Sequence, residues 1–115
     1  MDRNIILSLV KLTDSNVEKL SRQSLKLNYA IYEVYQNDNY WKKRTELLLG
    51  KNFNSNLVKS WFNIYEKISD PNNNDPLTQD DVNELLERAI QENDEDLMKV
   101  LKIVSPENEV FVKEY

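Results

Sequence analysis

The chain has 115 residues, of which 40% are apolar and 30% charged, with a formal net charge of −5; that size holds one hydrophobic core rather than two. Cysteine and histidine are both absent, which excludes disulfides, thiolate nucleophiles, tetrahedral zinc sites and imidazole acid–base catalysis. No apolar run reaches the length of a membrane span, and the apolar stretch after Asp2 is too short for a signal peptide, so an intracellular location is expected.

With one Gly and three Pro the chain lacks the turn residues of a many-stranded fold, while apolar residues recur at helical spacing, so the expected class is all-α. Asp2 is positioned to cap a first helix carrying Ile5, Ile6, Leu9 and Val10. Ser15 and Glu18 have the spacing of a capping box for a second, with Val17 and Leu20 inward. A third, Ser24 to Gln36, places Leu25, Tyr29 and Tyr32 on one stripe beside Leu27, Ile31, Val34 and Tyr35, and is expected to be central. Residues 37–39 break it and open a fourth helix, Tyr40 to Leu49, ending at Gly50 as a left-handed cap. The fifth is expected to be long, within 51–69, because Leu57, Trp61, Ile64, Tyr65 and Ile68 keep one face. Residues 70–77 form a loop, since two prolines and a run of short polar side chains favour turns. Thr78 opens a sixth helix with Val82, Leu85, Leu86, Ala89 and Ile90 inward. After a tight turn at Asn93 and Asp94, a seventh buries Leu97, Met98, Leu101 and Val104 and stops before Pro106. Residues 105–115 are a tail for which a short extended strand, a docked peptide and a frayed end are all open. One domain of six or seven short helices is the expectation.

Three constellations bear on chemistry. Asp70, Asn72, Asn74, Thr78 and Asp81 have the spacing of a calcium loop, but Asp75 stands where a Gly makes the sharp turn and Asp81 replaces the long bidentate Glu, so no metal site is expected. Glu92, Asp94, Glu95 and Asp96 lie at a helix–helix turn with no nucleophile, phosphate loop or oxyanion device beside them. No catalytic residue and no cofactor are expected. Tyr40, Trp41, Trp61 and Phe62 are candidate interface rings, and Lys42, Lys43 and Arg44 a candidate positive rim.

Two segments carry resemblances. Ala89, the Asn93–Asp94 turn, and Leu97, Met98 and Leu101 together resemble the helix pair of one ankyrin repeat, although 75–78 lacks that family's opening motif and no second copy follows. Residues 3–50, with Asp38, Tyr40 and Trp41 before Gly50, resemble an F-box-type helical segment without its Leu-Pro opening. This combination, in an Asn- and Lys-rich chain, is similar to small orphan proteins of large cytoplasmic DNA viruses of the marseillevirus type. That resemblance implies a virus-encoded virion component, located in the virion and the host cytoplasm.

Charge is uneven along the chain: residues 1–60 carry ten Lys/Arg against six Asp/Glu, and residues 61–115 carry five against fourteen. Such asymmetry acts on association more than on folding. The expected function is therefore non-enzymatic protein interaction or assembly, including homodimerisation, with no membrane and no small-molecule substrate. The alternatives are nucleic-acid packaging through the basic half and capture of a host protein through the F-box-like segment.

Overall fold

The computed structural model describes residues 8–105. Among them are six helices and no strand: α1 Asp14–Ser21, α2 Leu25–Tyr35, α3 Asp38–Leu49, α4 Trp61–Ile68, α5 Gln79–Glu92 and α6 Glu95–Val104. The all-α class is therefore as expected. The Asp2 cap and the 106–115 tail lie outside the described residues. Ser8 and Leu9 are helical and a turn follows, with Leu9 and Val10 buried.

The helix ends follow from capping chemistry. Ser24, Asn37, Ser60, Thr78 and Asp94 each sit in extended backbone and accept a first-turn N–H through the side chain, satisfying donors that have no partner within the helix. Thr78 and Asp81 form a full capping box. Gly50 ends α3 in left-handed backbone at φ 67°, where a Cβ is strained. Asn93 does the same for α5 at φ 57°, as its short polar side chain allows.

Three elements differ from the sequence reading. Thr13 rather than Ser15 caps α1, accepting from the Asn16 N–H, while the Ser15 hydroxyl donates to Asn72. The fifth helix is not long: α4 starts only at Trp61. Asn54 ties the preceding chain into a turn, accepting from Asn56 N–H at its side chain and from Leu57 N–H at its carbonyl. Ser60 then caps afresh, so Leu57 and Val58 reach the core from a loop. Finally, α2 is peripheral. It buries Ile31 and Val34 but exposes Leu25 (72%), Tyr29 (64%) and Tyr32 (62%), because α1 and α3 cover only the opposite side of the helix.

The core is one apolar cluster that joins residues from Leu9 to Leu101. The closest helix pairs are α3 with α4 and α5 with α6. On α3 the buried face holds Tyr40, Trp41, Arg44, Thr45 and Leu48. On α5, Val82 and Ala89 are buried, Leu85 and Leu86 half-buried, and Ile90, expected inside, is exposed; α6 contributes Leu97, Val100 and Leu101. The loop after α4 acts as a clasp. Pro71 accepts from Ser15 N–H, Leu77 N–H donates to the Leu48 carbonyl, and the Asn74 amide donates to the Lys11 carbonyl. None of the described helices is long and apolar enough to cross a membrane.

Candidate protein-interaction site

Arg44, expected on a positive rim, is instead the buried centre of the molecule, 2% exposed. Its Nε donates to the Tyr65 hydroxyl at 3.0 Å. Nη1 donates to the Leu9 carbonyl at 2.9 Å and the Tyr40 hydroxyl at 3.1 Å. Nη2 donates to the Leu12 carbonyl at 2.7 Å and pairs with Asp14 Oδ1 at 2.9 Å. These contacts use all five guanidinium N–H groups, which is what makes burial of the charge tolerable. The guanidinium also lies over the Tyr40 and Tyr65 rings, 5.6 and 5.2 Å from their centroids, a cation–π arrangement. The Tyr65 hydroxyl completes the circuit by donating to the Asp14 carboxylate. Burial pushes the Tyr65 hydroxyl up to about 12 from its ordinary 10.0, against the opposing pull of Arg44. Burial likewise pushes Tyr40 up.

The rest of the expected rim is also committed. Lys42 pairs with Glu46 at 2.9 Å in a half-buried contact, and Glu46 in turn accepts from the Phe53 N–H. Of the three cations, Lys43 alone makes no ion pair among the described residues. Tyr40 and Trp61, proposed as interface rings, are core side chains, 0% and 1% exposed. Trp61 stacks near Phe53 at 5.6 Å, and its indole N–H donates to the Ser55 carbonyl.

Trp41 and Phe62 do come together, but only Phe62 is exposed, at 41%; Trp41, also expected as an interface ring, is a core side chain at 8%. Their ring centroids are 4.9 Å apart and edge-on, and Trp41 lies 5.3 Å from both Tyr35 and Tyr65. The four rings line a cleft of about 590 Å³ between α1, the end of α2, α3 and α4, which also has Asp14, Glu18 and Glu66 on its lining. Tyr35 and Tyr65 escaped the sequence reading because each also fits a core stripe, and only the fold brings them beside Trp41.

The second surface is the bare face of α2. Leu25, Tyr29 and Tyr32 recur at i, i+4 and i+7, so they lie on one side of the helix. Lys26 and Glu33 flank that stripe along one edge, two turns and about 10.5 Å apart.

The loop 70–81 is occupied by its own contacts. The Asp70 carboxylate accepts from Asn72 N–H, Asn72 accepts from Ser15, and Asp81 accepts from the Thr78 N–H. At the acidic turn, Asp94 caps α6, accepting from Leu97 N–H, and pairs with Lys67 of α4. That contact holds the Asp94 carboxyl below its usual range.

No protein-family model, curated protein or solved structure matches this chain.

Proposed function

We propose that this chain is a non-enzymatic assembly domain that associates with a second copy of itself through α2. The observation that carries the reading is the exposed Leu25, Tyr29 and Tyr32 stripe. Its flank supports a self-complementary contact. When two copies of a helix pack antiparallel about a two-fold axis, each flank meets the same flank of the other copy running in the opposite direction. Lys26 of each copy then faces Glu33 of the other. A stripe of two tyrosines and a leucine supplies the apolar centre of such a contact at low side-chain entropy cost. Within the setting that the viral resemblance implies, a self-associating helical domain suits a virion component.

Nucleic-acid packaging is not favoured by any observation, since Arg44 is buried and Lys42 is paired with Glu46. Capture of a host protein through the F-box-like segment likewise has no contact to recommend it.

Light scattering after size exclusion tests the reading. The expected mass is near twice the 13.7 kDa of the chain, retained at high salt because apolar burial supplies most of the contact. Replacing Tyr29 and Tyr32 together by Ser is expected to give the 13.7 kDa monomer with an unchanged helical circular-dichroism spectrum. A wild-type monomer at every concentration and salt would overturn the self-association.

A further inference from the structure

We infer that the cleft walled by Tyr35, Trp41, Phe62 and Tyr65 is a receptor site for a single basic side chain, lysine or arginine, presented by a partner polypeptide. The inference rests on the protein-binding reading above but on a different face and a different observation. The walls are aromatic, and the polar ends of two of them are already hydrogen-bonded: the Trp41 indole N–H donates to the Tyr35 carbonyl at 3.0 Å, and the Tyr65 hydroxyl is held between Arg44 and Asp14. The ring surface open to a ligand is therefore chiefly that of exposed Phe62 and half-buried Tyr35, with the edge of Trp41 behind them, since Trp41 and Tyr65 are 8% and 3% exposed and the Tyr65 ring already meets Arg44. Ring faces attract cations through their quadrupole.

The charge of the rim selects the same ligand. Asp14, Glu18 and Glu66 line the cleft, and no Lys or Arg lines it. Asp14 is neutralised by Arg44, and Glu18 makes a loose, exposed contact with Arg22 at 3.7 Å. Glu66 is exposed and makes no ion pair among the described residues. An acidic rim around apolar walls matches an alkyl stem that ends in a positive charge, because the stem covers ring surface while the charge meets the carboxylates. An apolar side chain would leave Glu66 without a counter-charge, and an acidic one would be repelled.

The two tryptophans provide the test. Trp41 lines the cleft, whereas Trp61 is not on its lining and packs against Phe53, so their two indole N–H signals in a ¹⁵N-correlated NMR spectrum separate cleft binding from general perturbation. The probes are short neutral peptides with one central residue: Lys, Arg, trimethyl-Lys, norleucine or Glu. The Lys, Arg and trimethyl-Lys peptides are expected to move the Trp41 signal saturably and leave Trp61 in place, and the norleucine and Glu peptides to move neither. Phe62→Ala is expected to weaken the basic peptides by about two- to fivefold through lost ring surface, and Glu66→Gln by a similar factor through lost charge. Both residues are exposed enough that the fold survives the changes. Norleucine binding as well as lysine would overturn the inference, as would equal shifts at both tryptophans or no shift at millimolar peptide. The mass of the Phe62→Ala variant separates this inference from the α2 contact: a dimer with weakened basic-peptide binding leaves self-association intact.

Discussion

A buried arginine stands or falls with its acceptors, and Arg44 uses five N–H groups on five oxygens drawn from the segment before α1, from α1 itself, and from α3 and α4. Arg44→Leu removes the charge but leaves two carbonyls and two tyrosine hydroxyls to find new partners, and it strands Asp14. The expected loss is about 3 kcal/mol of stability, measured by urea unfolding. Arg44→Lys should recover only part, because an ammonium has three donors and no planar fork. A loss below 1 kcal/mol for Arg44→Leu would show that the cluster is replaceable. The same residues set a response to alkali. Tyr65 is raised by burial from 10.0 to about 12 in the fold, so the unfolded chain ionises first. The contribution is present in full below pH 10 and is lost as pH rises towards about 12. Tyr65→Phe should lessen that alkaline decline in melting temperature, the remainder coming from Tyr40, which burial also raises, and an unchanged profile would exclude Tyr65 as a source.

At the scale of elements, boundaries were legible wherever a cap was encoded locally. Ser24, Thr78, Asp94 and Gly50 stand where the sequence placed them. Periodicity was less informative where it described only a face. The stripe through Leu57 and Trp61 is real in the core, yet Asn54 and Ser60 break the backbone within it, and side-chain spacing does not register that break. On α2 the sequence has apolar residues on nearly every side, so the pattern does not say which side meets the protein. Arg44 was misplaced for a similar reason: Lys42, Lys43 and Arg44 read as one charged run, but on a helix they point in three directions, and Arg44 shares the face of Tyr40 and Leu48. The cleft was legible only through Trp41 and Phe62. Asp94 carries an element-scale prediction, since it both caps α6 and pairs with Lys67. Asp94→Ala should cost about 1 kcal/mol. The hydrogen bond from Lys67 lowers the Asp94 carboxyl below 3.8, so this stabilisation is present above that pH and is lost as pH falls further. Acid unfolding of the wild type and Asp94→Asn followed side by side should converge at low pH; a gap that stays constant would mean that the ion pair contributes nothing.

At the scale of the molecule, the charge asymmetry noted in the sequence does not describe a simple basic face. Two of the N-terminal cations are consumed internally, Arg44 wholly and Lys42 by Glu46, and the acidic rim of the cleft draws Asp14 and Glu18 from that nominally basic half. Among the described residues, the fold leaves at the surface an apolar helix face flanked by Lys26 and Glu33, an aromatic cleft with an acidic rim, and the separate exposed side chains Leu47, Ile90 and Ile103. A charge-swap cycle read by sedimentation tests the central claim, that two copies meet antiparallel along α2. Lys26→Glu and Glu33→Lys should each weaken the dimer by about tenfold, because each creates two like-charge contacts, and the double variant should return to near the wild-type dissociation constant. A double variant as weak as either single, or three variants indistinguishable from wild type, would contradict the antiparallel contact.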